Sequence, residues 1–241
     1  MKSIIICEGE TDFALLQYFM IKTNGWKDST QISFRPNIEG IKSRDFIKDS
    51  NILTIISANG CANIKQVFSS VIKANENVIA DNEKYSKVCI ITDNDEEETE
   101  TKIILELNSV IGQKCGIKNN DWVSLSFKDF TSNDYSIELL LLIIPFEENG
   151  ALETFLLNSV ARQDSYDAEI IRKGNAFVDT ADPFSKYLTH RGLKTKAKFD
   201  VYFSIRTPAK QFGMRQDILK NVNWEEYEKV REVFKELKKL G

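Results

Sequence analysis

The sequence is poor in the residues that build most histidine, zinc and disulfide sites. It has one histidine, His190, so a histidine-rich metal site is excluded and histidine-based catalysis is not expected. Its four cysteines include no C-x-x-C spacing. This argues against a zinc cluster or a disulfide framework and predicts a protein of the reducing cytoplasm.

Long apolar runs are also missing. The longest run near the middle, from Leu139 to Ile144, ends at Pro145. It is far shorter than the roughly 20 residues that cross a bilayer, so no membrane contact is expected. The short apolar run at residues 4–7 is followed by acidic residues, which predicts no secretory signal. No G-x-x-x-x-G-K-[ST] motif occurs, which excludes a P-loop ATPase in this chain.

What is present is typical of a globular protein with an uneven charge. The chain has 241 residues, of which 42% are hydrophobic and 28% charged; this suits one large domain or a core with a small appendage. Residues 1–185 hold 18 basic and 29 acidic side chains, whereas residues 186–241 hold 14 and 7. The basic C-terminal quarter is either a face that binds polyanions or a solvated helix surface.

The order of apolar segments predicts an α/β fold. Residues 2–7, 52–57 and 87–92 are short apolar runs, each followed by a polar turn and a segment with helical spacing. Three strand–turn–helix units in succession predict a mostly parallel sheet with helices on both faces. Residues 122–127 alternate like a further strand, and the run that Pro145 ends is interpreted as a buried strand rather than a short helix.

The C-terminal part is predicted to be a mostly helical extension. A helix is expected at residues 150–160, and a core of residues 1–160 is expected to pack against an extension of residues 161–241 in one compact unit. Several glycines and prolines in residues 162–222 predict irregular structure with short helices there. The chain closes with a predicted amphipathic helix capped by Asn223, whose apolar stripe favours core packing over ligand binding: Trp224, Tyr227, Val230, Phe234 and Leu237.

Acidic side chains follow two of the predicted strands. Glu8 comes directly after the first strand, and Asp93 and Asp95 follow the third. Parallel sheets bind ligands at the carboxyl ends of their strands, and residues two apart in an extended segment point the same way. Carboxylates crowded together repel one another unless a cation lies between them. Oxygen ligands without cysteine or histidine favour Mg²⁺, Mn²⁺ or Ca²⁺.

Some of these acids also have local structural interpretations. Asp12 is either a further ligand or an acid that favours a helix N-terminus. Glu96 and Glu98 are interpreted as first-turn acids of the next helix, and Asp93 with Asp95 could simply form a turn. Glu8 has no such local role, because a glutamate directly after a buried strand does not shape a turn.

These motifs resemble those of the Toprim fold. The segment IIICEGETD is similar to the first Toprim motif, a hydrophobic strand followed by E-G-x-x-D, and VCIITDND is similar to the second, a strand followed by D-x-D. The fold is shared by topoisomerases, bacterial primases, recombination-repair proteins and the OLD (overcoming lysogenization defect) nucleases. The chain resembles most the small stand-alone Toprim-like proteins of unknown function related to OLD nucleases. Two further segments carry the likeness within residues 2–160, SANGCANI and PFEENGALETF.

The resemblance implies a Rossmann-like Toprim core and metal-dependent phosphoryl transfer on nucleic acid. It implies that Glu8 acts as general acid/base or metal ligand, and that Asp93 and Asp95 hold Mg²⁺ or Mn²⁺, with Asp12 nearby. Glu153 is the candidate for a second metal site. Lysines of the C-terminal part are candidates for nucleic-acid binding and for stabilising developing charge, with Lys196 assigned the catalytic role: Lys194, Lys196 and Lys198.

Three functions remain open from the sequence. The first is a Mg²⁺-dependent nuclease of DNA repair or phage defence, acting on DNA or RNA. The second is a catalytically inactive module that binds metal, phosphate or nucleic acid together with a partner protein. The third is an enzyme acting on a small phosphate ester. Because the chain carries no P-loop, any motor or targeting function is expected to belong to a separate ATPase or targeting protein.

Overall fold

The computed structural model describes residues 1–30, 41–208 and 215–241. They form an α/β protein that divides into two compact units. The first comprises residues 1–143 together with the last six residues, 236–241, and the second comprises residues 144–235. The first break falls near the end of a strand.

The first unit is built on a seven-stranded sheet with the order β2-β3-β4-β1-β5-β7-β6. The strand β1 pairs in parallel with β4 on one side and β5 on the other. The pairs β2–β3, β3–β4 and β6–β7 are antiparallel, so the sheet is mixed. The strands are β1 Lys2–Cys7, β2 Lys27–Asp28, β3 Lys42–Lys48, β4 Asn51–Ser57, β5 Tyr85–Asp93, β6 Trp122–Lys128 and β7 Asp134–Ile144.

The predicted strands are confirmed, but the sequence missed β2 and β3. The strand β3 has the sequence KSRDFIK, in which Phe46 and Ile47 are the apolar residues, and much of it is exposed. Such a strand lacks the apolar run that marks a strand buried on both faces. Its pairing with β4 comes from backbone hydrogen bonding rather than from a hydrophobic pattern.

Helices cover the centre of the sheet on both faces. The helices α2 (Ile64–Glu76) and α3 (Thr99–Ile111) share one apolar core cluster with Ile4 and Ile6 of β1. The helix α1 (Glu10–Asn24) contacts β4, and its buried residues do not belong to that cluster. The connections β1–α1–β2 and β4–α2–β5 run in opposite directions along the sheet, so right-handed crossovers put α1 on the opposite face from α2.

The last six residues pack against the sheet of the first unit. The Ser3 hydroxyl donates to the carbonyl of Leu240 at 2.7 Å, and Trp122 Nε1 donates to Glu236 Oε2 at 3.0 Å. A carbonyl near the end of the chain, that of Lys239, accepts from Lys87 Nζ at 2.5 Å. These polar contacts are specific to individual side chains, and no hydrophobic pattern in the sequence predicts them.

The second unit is helical. Among the described residues, no helix of either unit is long and apolar enough to span a bilayer. The helices α4, α5 and α6 contact one another, and α8 contacts α4. Their bounds are α4 Leu152–Gln163, α5 Ser165–Ala181, α6 Arg191–Arg206, α7 Arg215–Lys220 and α8 Glu228–Val233.

The prediction of irregular structure for residues 162–222 was wrong. The helices α5 and α6 have 17 and 16 residues. Pro183, Gly192 and Pro208 lie at or near helix boundaries, where such residues are tolerated. Gly174 lies inside α5, where a Cβ would come within 3.1 Å of Val201 in α6, so its missing side chain lets the two helices approach closely. Gly213 lies outside the described residues.

The prediction of a single C-terminal helix was also wrong. Residues 224–226 and 235–240 form 3₁₀ turns on either side of the short helix α8. Tyr227 is extended, and the side chain of Asn223 donates to Glu226 Oε1 at 3.0 Å without capping the backbone. The predicted core role of the stripe is confirmed, since all its members are buried: Trp224, Tyr227, Val230, Phe234 and Leu237.

A buried ion pair anchors the start of β5. Lys84 Nζ lies 3.0 Å from Asp129 Oδ2, and the two side chains are 5% and 1% exposed. The other carboxylate oxygen accepts hydrogen bonds from the hydroxyl and N–H of Thr131 and from the N–H of Asn133. The hydrogen bond from Thr131, followed by the one from Lys84, lowers the pKa of Asp129 from 3.8 to about 2.

We expect the Asp129 carboxylate to stabilise the fold above about pH 4 and to lose this contribution as the pH falls toward about 2, because its folded pKa lies below its unfolded value. Asp129→Asn should lower the melting temperature at neutral pH and flatten its fall across that acidic window. Circular dichroism melts at several pH values measure both effects. The control is Asp134→Asn, which removes an exposed partner of Lys128 and should follow the wild type. Parallel curves of melting temperature against pH for Asp129→Asn and wild type would contradict this stabilising role of the Asp129 carboxylate.

Candidate metal centre

The carboxyl ends of β1 and β5 form a crevice. These strands are parallel neighbours, with Cys7 opposite Ile91 at the end of the register. The chain leaves β1 toward α1 on one face and leaves β5 toward α3 on the other face. Neighbouring strands whose helices diverge in this way leave an open site between their carboxyl ends, where α/β proteins bind ligands. Glu8 and Asp93 lie at this position.

The structure brings three of the sequence-predicted acids together there. Glu8, Asp93 and Asp95 each offer a carboxylate oxygen, and these three oxygens lie within 4.8 Å of one another. Glu8 and Asp93 are half-buried and Asp95 is exposed. At this separation each pair of charges repels by about 0.9 kcal/mol in water and by about 3.5 kcal/mol at an effective dielectric constant near 20. An all-oxygen donor set of this kind fits a hard divalent cation such as Mg²⁺ or Mn²⁺.

The carboxylate of Glu8 is held by its neighbour strand. Its Oε2 accepts a hydrogen bond from the Thr92 hydroxyl at 2.7 Å and one from the backbone N–H of Asp93 at 3.2 Å. Among the described residues, both hydrogen bonds of this carboxylate go to Oε2, which leaves Oε1 for a cation or a water molecule. Glu8 is therefore oriented by β5, the strand that also supplies Asp93.

The turn after β4 supports the backbone of Glu8. The N–H of Gly60 donates to the carbonyl of Glu8 at 2.9 Å, and Gly60 has a φ of 118°, which only glycine adopts readily. The Asn63 side chain donates to the carbonyls of Ala58 and Asn59 and closes the turn. The Gly-Asn-rich segment noted in the sequence thus lies beside the carboxylate cluster.

Two neighbours of the cluster escaped the sequence analysis. Thr92 is buried at the end of β5, and a hydroxyl directly before an acidic strand end is the signal that could have identified it. Cys61 Sγ lies 3.7 Å from the Thr92 hydroxyl. Burial raises the pKa of the Cys61 thiol, and the negative charges of Glu8 and Asp95 raise it further. These charges act on the thiol because it lies near the cluster.

Other acids of the two motifs have local roles. Asp12 is buried and not a member of the cluster, and its Oδ2 accepts from the N–H of Gly9 at 2.6 Å across the start of α1. Glu96 forms an exposed ion pair with Lys102, and Glu98 directly precedes α3 without a side-chain capping bond. Asp12 lies in the first turn of α1, as the sequence allowed, whereas the interpretation of Glu96 and Glu98 as first-turn acids was wrong, because α3 begins at Thr99.

The other predicted site residues belong to the second unit. Glu153 lies in the first turn of α4 and is buried. The three lysines of α6 do not share one environment. Lys194 and Lys198 are half-buried, one turn apart, and line a cavity of the second unit, whereas Lys196 is exposed. The ammonium of Lys198 pairs with Asp179 at 2.8 Å.

The family of the chain follows from its full-length match. A family model described as Protein of unknown function (DUF3226) matches residues 2–240. The chain belongs to this family. No curated protein matches its sequence.

A solved structure is similar over nearly the whole chain. The hypothetical protein PH0156 from Pyrococcus horikoshii OT3 is 16% identical, with a TM-score of 0.53. The match covers 99% of this chain and 98% of that one. At this identity the likeness shows the fold alone.

We expect Mg²⁺ or Mn²⁺ to stabilise the wild type through this cluster. At 100 times the dissociation constant the free energy of unfolding should rise by about 2.7 kcal/mol. Asp93→Asn and Asp95→Asn should remove most of this rise, because amides bind hard cations weakly, and should leave the cation-free protein as stable or more so. Melting curves with EDTA and with each cation measure both effects.

The matched control for those variants is Glu97→Gln, which makes the same charge change at an exposed position outside the cluster. Its response to cation should equal that of the wild type. A wild-type response in Asp93→Asn and Asp95→Asn would remove the cluster as the cation site.

Thr92→Val tests the hydrogen bond that orients Glu8. Valine keeps the shape of threonine but donates nothing to Oε2. Because partners behind a ligand typically contribute 10- to 100-fold to metal affinity, we expect cation affinity to fall by about that factor. Isothermal titration calorimetry with Mn²⁺ measures the change. An unaltered affinity would show that Glu8 needs no such support.

Proposed function

We propose that this protein is a divalent-cation-dependent enzyme of phosphoryl transfer on nucleic acid, and specifically a nuclease. The observation that carries the proposal is the carboxylate cluster of Glu8, Asp93 and Asp95 between the ends of β1 and β5. The same residues stand at the acidic positions of the two segments that resemble Toprim motifs. Geometry and motif therefore support the same chemistry by independent routes.

Each of the three acids has a distinct role in this proposal. Asp93 and Asp95 serve as cation ligands, since they lie two residues apart at the end of β5 and reach the same point. Glu8 has one oxygen fixed by Thr92 and Asp93, and its other oxygen is positioned either to bind the cation or to move a proton to or from the reacting oxygen. A bound divalent cation would supply charge neutralisation on the phosphate.

Nucleic acid is proposed as the substrate because of the motif resemblance and the basic C-terminal quarter. The chain as a whole is acidic, with a net charge of −4. Broad, tight duplex binding draws on many contacts from lysine and arginine to phosphates. We therefore expect a short contact at the cluster, or delivery of the substrate by a separate ATPase or targeting protein. The lysines of α6 remain candidates for nucleic-acid binding.

The proposal keeps Asp12, Glu153 and Lys196 in secondary roles. Asp12 supports the loop that carries Glu8, through its hydrogen bond to Gly9. The proposal does not require a second cation bound by Glu153 or charge stabilisation by Lys196.

We expect the purified protein to cleave DNA or RNA in Mg²⁺ or Mn²⁺ and to be inactive in EDTA. Glu8→Gln, Asp93→Asn and Asp95→Asn should each lower the cleavage rate by about 100-fold or more, because each removes a charge that binds the cation or moves the proton. End-labelled single- and double-stranded DNA and RNA, resolved on denaturing gels, show the substrate and whether cleavage is internal or terminal.

Glu97→Gln is again the control and should cleave at the wild-type rate. Cation binding at the cluster without cleavage of any polymer would replace the nuclease with a binding module. Cleavage of a small phosphate ester alone, such as p-nitrophenyl phosphate, would move the substrate from nucleic acid to small molecules. Glu153→Gln and Lys196→Gln, measured alongside, show whether the second unit contributes to catalysis.

A further inference from the structure

The second unit contains a large basic cavity of about 510 Å³. Its wall is formed by residues of α4 and α5, by the segment between α5 and α6, and by the first two turns of α6. Three cationic side chains line it, Arg191, Lys194 and Lys198, and no carboxylate of the described residues does. A cavity with this lining attracts an anion rather than a cation.

The charge of Lys194 is directed to this cavity. Lys194 is half-buried, and no ion pair of its ammonium is found among the described residues. The nearby carboxylate of Asp182 accepts hydrogen bonds from the N–H groups of Lys186, Tyr187 and Leu188. Those backbone hydrogen bonds, more than the charge of Lys194, lower the pKa of Asp182. Lys198 is partly neutralised by Asp179 at 2.8 Å, whereas Lys194 forms no ion pair within the described part of the chain.

The start of α6 adds to the positive potential. The helix has 16 residues, its first turn contains no acidic side chain, and its N-terminal residue His190 forms no side-chain capping bond. Helix N-termini favour anions because their first N–H groups lack partners within the helix. In α6 these groups face the same end of the helix as Arg191 and Lys194, which line the cavity.

Two exposed aromatic residues are chain neighbours of residues that line the cavity. Ser185 and Leu188 line the cavity, and their chain neighbours Phe184 and Tyr187 are 92% and 70% exposed. The hydrogen bonds to Asp182 fix the backbone of this segment. Exposed aromatic rings beside a cationic groove are the surfaces on which single-stranded bases stack.

We propose that this cavity binds a nucleoside phosphate, with the phosphate at Lys194 and the start of α6 and the base against Phe184 or Tyr187. The ligand is either a free mononucleotide or the 5′-terminal nucleotide of a nucleic-acid chain, since both present the same groups. This site does not depend on the carboxylate cluster, because it lies within the second unit and requires no divalent cation.

The test uses the full chain in EDTA, so that neither cation binding nor cleavage contributes. Fluorescence anisotropy compares a 3′-labelled oligothymidylate with a 5′-phosphate and the same oligomer with a 5′-hydroxyl, and AMP and adenosine compete for binding. We expect the 5′-phosphorylated oligomer to bind about tenfold more tightly than the 5′-hydroxyl oligomer, and AMP about tenfold more tightly than adenosine. A tenfold gain is about the size of a charge-assisted hydrogen bond. If AMP binds as tightly as the 5′-phosphorylated oligomer, the ligand is a free nucleotide. If the oligomer binds more tightly than AMP, the ligand is the 5′-terminal nucleotide of a chain.

Lys194→Gln should remove the phosphate-dependent gain, and Lys194→Arg should keep it. Lys173→Gln is the matched control, because Lys173 is an exposed lysine of α5 in the same unit that does not line the cavity, and it should leave the gain unchanged. Melting temperatures of all variants check that they are folded. Equal affinity for the phosphorylated and unphosphorylated oligomers would overturn the proposal. So would equal losses in Lys194→Gln and Lys173→Gln, or in Lys194→Gln and Lys194→Arg.

Discussion

The parallel pairing of β1 with β5 is the constraint on which the candidate metal centre depends. It puts the residue after Cys7 beside Thr92 and allows one carboxylate oxygen of Glu8 to accept from both Thr92 and the backbone of Asp93. Three mutually repelling acids are thereby held within 4.8 Å of one another. The stability of two strands buried on both faces offsets that repulsion.

The two ends of β5 have opposite electrostatic environments. At its start, Lys84 and Asp129 are buried as a complete pair, and the carboxylate is further satisfied by Thr131 and Asn133. At its end, three acids lie within 4.8 Å of one another, and Asp95 is exposed. A buried pair of opposite charges is typical of a structural role, whereas a cluster of like charges in an open crevice is typical of a ligand site.

Basic and acidic chemistry are divided between the two units. The acidic cluster lies in the sheet unit, and the cavity with Lys194 lies in the helical unit. The lysines of α6 are not equivalent, because a helix turns by about 200° over two residues. Lys196 therefore lies on a different side from Lys194 and Lys198. Lys194 and Lys198 line the cavity of the second unit, whereas Lys196 does not.

The sequence by itself determined the strands that carry the site and the acids at their ends, because continuous apolar runs and the residues directly after them are local features. It did not determine β3, whose sequence is mostly polar, or the long helices α5 and α6, where Gly174 resembles a helix breaker but allows close packing. Only the tertiary structure decided that Glu8, Asp93 and Asp95 meet, that Asp12 instead accepts from Gly9, and that Thr92 and Cys61 lie beside the cluster. Strand order and side-chain reach depend on contacts between residues far apart in the chain, and a local pattern carries no information about them.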